Sequence, residues 1–434
     1  MGTEITLDIA GISIDWAKNH PGNDHGSLFH KDDLGYFVSD QTDDDVDENV
    51  EGASFAEQAA FVRTLKDALP RLDLLGFTIE TVRREYILSA RNWYLERKEL
   101  AKEFSDDGLF PKPVRPFRFV EFLDFIREIK ISELSDTFIS SIDHEDSEIM
   151  GRFSDESLKL RIPNYDPTDT NAWSELSYFG SLIGFLHPYA ILRLLAENTD
   201  NHSAPIVWQF GPLVENGWAD AADFVGGPKR EQTFLIATEG SSDTKILKRA
   251  IEILKPEVAD FFNFIDVTES HPFPGTGNLV RFASGLAKID IQNKTIFLLD
   301  NDAEGLSALS KINEMKLPQN MRVIKLPDRD CFQHFSTIGP EGEATADING
   351  RAAAIECYLD LTAKGLPVPR VRWSIYKEDI GGYQGALEQK DAFAKKFFKA
   401  AVKDDNYDLS GLSALLEHLL DACTEMAFSL RCDG

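Results

Sequence analysis

Four acidic residues are spaced so that they can work together: Glu239, Asp243, Asp300 and Asp302. Glu239 ends the apolar run "TFLIATE" (Thr233 to Glu239), and Gly240 follows it. Asp300 and Asp302 end a second apolar run, "KTIFLLDND", with Glu304 and Gly305 directly behind. Carboxylates at that density repel one another unless positive charge sits among them. A hard cation suits such an all-oxygen set: Mg²⁺, or Mn²⁺ in its place, is typically held through one or two carboxylates plus substrate phosphates. Ions of this kind activate water and stabilise the leaving oxygen in phosphodiester cleavage. A Glu with a raised pKa can serve as general acid or base. Asp243, Asp300 and Asp302 are therefore expected as metal ligands, and Glu239 as the proton-transfer group or a further ligand. A solvated strand-to-helix turn would use the same residues, because Asp, Asn and Glu favour helix starts. A lone DxD is also common by chance in a chain with 73 acidic residues.

The elements around these acids give the pattern its weight. After the linker "VGGPKR" (Val225 to Arg230), short β-type runs alternate with helical patterns for about a hundred residues. Such alternation predicts a parallel sheet with right-handed crossovers. Ligands bind at the carboxyl ends of strands in open parallel sheets, and both acid-terminated runs end at that edge. Gly240 permits a tight turn from strand to helix.

Ahead of the linker, "EITLDIAGISIDWA" reads as a hairpin about Ala10-Gly11. Helical patterns are expected at Phe55 to Ala68, Ile79 to Lys102, Phe119 to Ile131 and Trp173 to Leu195. The acidic run Asp40 to Gly52 reads as a solvated loop. The phenylalanines between Phe117 and Phe125 read as core. Beyond the α/β region, helices are expected at Arg351 to Ala363, Gln384 to Val402 and Gly411 to Leu430.

Composition limits the partners. A net charge of −28 disfavours broad, nonspecific contact with nucleic acid, so any such chemistry needs a local basic track, a basic partner or bridging metal. Lys245, Lys248 and Arg249 lie one turn apart on a predicted helix and could touch phosphates, or form a solvated face paired with Glu252. Lys390 is a further candidate phosphate contact, and Glu356 could complete the metal site from outside the sheet. "GTGN" (Gly275 to Asn278) could offer backbone N–H groups to a phosphate or be a plain loop and cap. His20 and His25 lack a firm third ligand and read as a structured surface loop. Four scattered cysteines, no apolar run of membrane-spanning length and no secretory signal pattern suit a reducing cytoplasm without membrane contact.

The order strand-Glu-Gly, then βα, then strand-DxD resembles the topoisomerase–primase catalytic domain, Toprim. The matching residues are Glu239-Gly240 in "IATEGSSD" and Asp300, Asp302 and Gly305 in "LLDNDAEG", and the likeness covers roughly Thr233 to Lys325. It implies that Glu239 is the acid/base or metal-linked residue and that Asp300 and Asp302 hold Mg²⁺. Asp243 resembles the extra acid of the overcoming-lysogenization-defect nucleases, which implies a second metal. "GISIDWAKNHPGNDHGSLF" is similar to the N-terminal domain found beside HEPN or Toprim catalytic domains, and "HPFPGTGNLVRFASGLAKIDIQNKTIFLLDNDAEG" and "ADINGRAAAIECYLDL" to that family's Toprim branch. The chain has neither the zinc ribbon of a primase nor a plausible winged helix with a topoisomerase tyrosine, so within the resemblance the nuclease branch is preferred. "RDCFQH" (Arg329 to His334) has the spacing of a HEPN ribonuclease motif, but it follows a strand and reads as coincidence.

The expected fold is a Toprim-like α/β parallel-sheet domain preceded by an α+β module and a mostly helical connector, with helical C-terminal additions. The expected boundaries are 1–110 for the α+β N-terminal module, 111–228 for the helical connector, 229–345 for the Toprim core and 346–434 for the helical extension. The resemblance implies a metal-dependent nuclease acting on tRNA, other RNA or DNA in anti-phage defence. Its N-terminal region would bind a protein partner or a second copy. The alternative is a partner-binding regulatory subunit with a Toprim-like fold and little activity of its own, which the acidic balance favours. A phosphatase or DxD transferase would leave the Glu239-Gly240 strand unexplained.

Overall fold

The computed structural model describes residues 2–36, 59–103, 114–140, 146–155, 158, 160–163, 172–265, 275–289, 291–378, 380–400 and 406–433. The acidic run Asp40 to Gly52 lies outside these residues, as do 266–274, which include the start of the "HPFPGTGN" stretch. The chain divides into two compact units, Met1–Gly227 and Pro228–Gly434.

The first unit is built on an antiparallel sheet. Strands β1 (Glu4–Ile9) and β2 (Ile12–Lys18) form the expected hairpin. Ala10 and Gly11 both take positive φ there, 44° and 87°. Together with β3 (Leu34–Tyr36), β4 (Ala59–Thr64) and β5 (Pro205–Gln209), they give the order β2-β1-β5-β4-β3. This corrects two expectations. Residues 59–64 are a strand rather than helix, and helix α1 (Leu65–Leu74) starts only at the Thr64 cap, whose hydroxyl accepts from Asp67 N at 3.2 Å. Nor is 111–228 only a helical connector, because its residues 205–209 supply the middle strand of the sheet, paired with both β1 and β4. Burial on a sheet overrides local helical propensity in such segments.

Helices α2 (Ile79–Glu103), α3 (Phe119–Arg127), α4 (Asp146–Met150), α5 (Glu175–Ile183), α6 (Pro188–Leu195) and α7 (Gly211–Glu215) complete this unit. The apolar stretch expected as one helix from Trp173 to Leu195 is two, because Pro188 opens a new helix at its first turn. No single described helix is long and apolar enough to cross a membrane. The core stacks Trp208 on Phe29 and Phe61, with ring centroids 6.4 and 5.9 Å apart. Phe122 is fully buried against Tyr86.

The second unit contains a parallel sheet of order β10-β8-β6-β7, formed by β6 (Phe234–Thr238), β7 (Phe262–Phe264), β8 (Lys294–Leu299) and β10 (Met321–Lys325). Helices α8 (Ser241–Leu254), α9 (Thr276–Leu286) and α10 (Ala303–Asn313) connect these strands. Short β9 (Asn301–Asp302) pairs with β13 (Ala352–Ala353). A further sheet, β12-β11-β14-β15, is made from β11 (Phe335–Gly339), β12 (Gly342–Ala346), β14 (Val371–Lys377) and β15 (Gly382–Leu387). Helices α11 (Lys390–Ala400) and α12 (Ser410–Asp433) follow.

The region after 345 is therefore not simply helical. Arg351 to Ala363, expected as a helix, contains β13 and one 3₁₀ turn, Ile355–Tyr358. The start of the expected Gln384–Val402 helix is strand β15. Close packing explains the strand: a Cβ at Gly385 would come within 2.7 Å of Val371 and 2.9 Å of Ala352. The helix starts beyond Gln389, which takes a left-handed φ of 53°.

Candidate active site

The carboxyl edge of the parallel sheet collects acid. Glu239 leaves β6, and its carboxylate reaches the neighbouring strand end: Oε1 accepts from Asp300 N at 3.1 Å, while Oε2 accepts from Thr276 Oγ1 at 2.6 Å. Gly240 lets α8 start at once, and its N–H donates to Asp243 Oδ2 at 2.8 Å. The first-turn acid is thereby turned back toward the edge. Alternation along the extended segment after β8 separates the three residues of "DND". Asn301 is fully buried and holds the scaffold, donating to Asp328 at 2.9 Å and accepting from Lys325 Nζ at 3.1 Å and Gly350 N at 2.9 Å. Asp302 caps α10 through Gly305 N at 2.7 Å. Gly305 is dictated sterically, because any Cβ there would collide with the carbonyl oxygen of Asp300.

Two further residues come from the C-terminal segment. Glu356, in the 3₁₀ turn after β13, is 2% exposed and accepts from Ser242 Oγ at 3.4 Å. Lys390, at the start of α11, lies 3.6 Å from Glu356 Oε1. Gln384, on β15, donates to Asp302 Oδ2 at 2.6 Å and accepts from Glu304 N at 3.0 Å. One amide thus holds both the second aspartate and the start of α10.

The electrostatics follow from carboxylates held close together, with Lys390 beside Glu356, Asp243 and Asp300. Burial pushes Glu239 up to about 7, with repulsion from Asp302 and Asp243 added and the Thr276 and Asp300 hydrogen bonds opposing. Asp243 is pushed up to about 6, first by burial and then by Glu356. Asp300 is raised well above the usual carboxylate range by burial and by Asp243, Glu239, Asp302 and Glu356. Asp302 is raised by burial, against the Gly305 and Gln384 hydrogen bonds. Burial works against the charge on Lys390, but Glu356, Asp243 and Asp300 outweigh it and raise its pKa.

Glu239, Asp243, Asp300 and Asp302 are thus brought together, with Glu356 and Lys390 joining them. Lys245 and Lys248 are exposed on α8, and Arg249 pairs with Glu252 at 3.1 Å, the helix-face arrangement. Arg329 sits over the ring of Phe332, and His334 is exposed. His25 is buried, and its Nε2 lies 2.9 Å from Asp15 Oδ2 in the first unit. The residues missed by sequence reasoning are Gln384 and, as a side-chain partner of Glu239, Thr276. A lone Gln carries no spacing signal. "GTGN" did flag Thr276, but for its backbone.

Chemically, the donor set is all oxygen and fits a hard divalent cation. Among the described residues, no three His, Cys, Asp or Glu side chains are grouped as a ready-made cage. Mg²⁺ does not require one, since it keeps several waters and takes one or two carboxylates.

A family model described as HEPN/Toprim N-terminal domain 1 matches residues 1–232, running through both the 1–110 and 111–228 stretches. No curated protein and no solved structure matches the chain. With its match spanning the first unit and more than half of the sequence, the chain belongs to the HEPN/Toprim N-terminal domain family.

Proposed function

We propose that the second unit is a Toprim-type, Mg²⁺-dependent nuclease that hydrolyses phosphodiester bonds of RNA or DNA, and that the chain is an effector of bacterial anti-phage defence in the cytoplasm. The observation that carries this reading is the meeting of Glu239, Asp243, Asp300, Asp302 and Glu356 at the carboxyl edge of a parallel sheet, with Lys390 beside Glu356. Membership of a family named for its nuclease-associated domains supports it.

Glu239, Asp243, Asp300 and Asp302 would hold Mg²⁺ or Mn²⁺. When bound, the ion supplies the positive charge that activates water and stabilises the leaving oxygen. The chain's own residues do the rest. Where Glu239 is not itself a ligand, it would move a proton at the site, with Thr276 and the Asp300 N–H fixing its orientation. Gly305 and Gln384 set the Asp302 carboxylate. Lys390 offsets part of the charge on Glu356 and Asp243. The N-terminal family domain would receive the trigger, by docking a protein partner or a second copy.

The test compares wild type with Asp300→Ala/Asp302→Ala on total tRNA, single-stranded RNA and plasmid DNA, with Mg²⁺, Mn²⁺ or EDTA. Metal-dependent cleavage by wild type alone is expected. The regulatory-subunit reading is favoured by the −28 charge and by Asp302 having both oxygens already engaged. Inactivity of wild type with every metal, together with a stable complex with a neighbouring gene product, would decide for it.

A further inference from the structure

A cavity of about 400 Å³ opens beside the acid edge, within the second unit and walled mainly by α9 and α10. Among the described residues its lining includes Arg281, Lys311 and Lys377 against one acid, Glu304. In a chain of net charge −28, three cations to one acid is a local reversal of sign. Arg281 and Lys311 are exposed. Lys377 is held 3.1 Å from Glu304. Two of its lining residues are hydrogen-bonded to the acid cluster: Thr276 donates to Glu239, and the Glu304 N–H is bridged by Gln384 to Asp302. Gly277 leaves the backbone of the first α9 turn open, since a Cβ there would meet nothing within 4 Å.

We infer that this cavity binds the phosphodiester backbone of a single nucleic-acid strand and leads it to the edge where Glu239 and Asp302 stand. Point cations along a cavity wall are the general means of holding phosphates, and they supply the sequence-independent part of nucleic-acid affinity. The volume suits a short stretch of one backbone rather than the full width of a double helix. The inference rests on the nuclease reading for its direction, and it names the substrate form: a single strand, or a locally opened duplex. It also places the basic track on α9 and α10 rather than on Lys245 and Lys248 of α8.

The experiment measures binding of fluorescein-labelled 12-nucleotide RNA and DNA strands, and of the matching duplex, by anisotropy in EDTA at several salt concentrations. Arg281→Glu/Lys311→Glu should weaken single-strand binding at least ~10-fold at low salt. It should also flatten the plot of log K against log salt by about 1.4, at roughly 0.7 for each lost phosphate contact on a single strand. Arg281→Lys/Lys311→Arg should bind as wild type, which separates lost charge from lost fold. Lys31→Glu/Lys66→Glu, which reverses two exposed charges of the first unit, should leave the slope unchanged. The inference is overturned if wild type binds no single strand, if the α9/α10 variant keeps its slope, if the first-unit variant loses as much, or if the duplex binds as tightly as the strand. A cleavage assay on the same proteins separates this idea from the activity: cleavage with unaltered binding by the variant removes the track and leaves the nuclease. Charge-dependent binding without any cleavage does the reverse.

Discussion

In the first unit, Arg71 is completely buried, and its guanidinium donates to the carbonyls of Ser27 at 2.9 Å and Phe29 at 2.7 Å. In the second unit, Asp300 faces Asp243, Glu239, Asp302 and Glu356, which together with burial raise its pKa. The buried arginine has acceptors for its donors, and it ties a loop to helix α1. His25 is treated in the same way, between Asp15 and Tyr189. The acid cluster is different in kind: like charges are held close by hydrogen bonds from Gly240, Thr276, Gly305 and Gln384, and one lysine opposes them. Buried charge that is met by its complement is architecture. Like charge that the fold concentrates in one place costs stability and marks a candidate functional site.

The contrast can be broken most severely at Arg71. Arg71→Ala strands the Ser27 and Phe29 carbonyls and leaves a void, at a cost of roughly 3–5 kcal/mol. Urea unfolding followed by tryptophan fluorescence reads this well, because Trp16, Trp93, Trp173, Trp208 and Trp218 lie in the first unit and Trp373 alone in the second. The expected outcome is a lower midpoint for the first unit with metal-dependent cleavage retained. Asp300→Ala should do the opposite: a loss of cleavage on the order of 10²–10³-fold, with the metal-free protein no less stable than wild type. A cleavage rate within a few-fold of wild type would remove Asp300 from the site.

Gln384→Leu tests whether the Asp302 carboxylate must be held in place. Losing an outer partner of a metal-linked carboxylate typically costs about 10–100-fold in metal affinity or activity. The expected signature is a higher Mg²⁺ requirement, with much of the rate recovered at saturating metal. A loss unaffected by metal concentration would argue against the positioning role.

The smallest effect is on stability against pH. Glu239 is raised from an ordinary 4.5 to about 7 in the folded chain. Between those values the folded state keeps a proton that the unfolded chain has released. The stabilisation is complete below about pH 4.5 and is lost as pH rises through about 7. Without metal, the second unit should lose at least on the order of 1–2 kcal/mol between about pH 5 and pH 8, because Asp243 and Asp300 are raised as well and act in the same direction. Mg²⁺ should flatten the profile, and so should Glu239→Gln. A flat metal-free profile in wild type would mean that the acids are already compensated.

Much of this was legible where function and local structure coincide. The runs ending in Glu239 and in Asp300-Asn301-Asp302, with glycines at 240 and 305, announced strand ends at one edge. The lysines of α8 were just as visible, yet Arg249 pairs along its own helix while Arg281, Lys311 and Lys377 gather at the cavity. Position along one helix is local, whereas convergence from α9, α10 and β14 is not. Gln384 was unreadable for the same reason. Its segment has helical spacing, and only the packing of Gly385 against Val371 and Ala352 makes it a strand that aims the amide at Asp302.

By itself the sequence determined the alternation of short apolar runs and amphipathic helices, the acid at the ends of two of those runs, and the glycines that let the chain turn there. These are properties of neighbouring residues, set by side-chain period and backbone freedom. The tertiary structure decided what joined them. It inserted residues 205–209 into the centre of the first sheet, and it paired Ala352–Ala353 with Asn301–Asp302, bringing Glu356 and Lys390 to the acids. Pairings between segments that far apart depend on which surfaces can be buried together, and no local window of the chain contains that information.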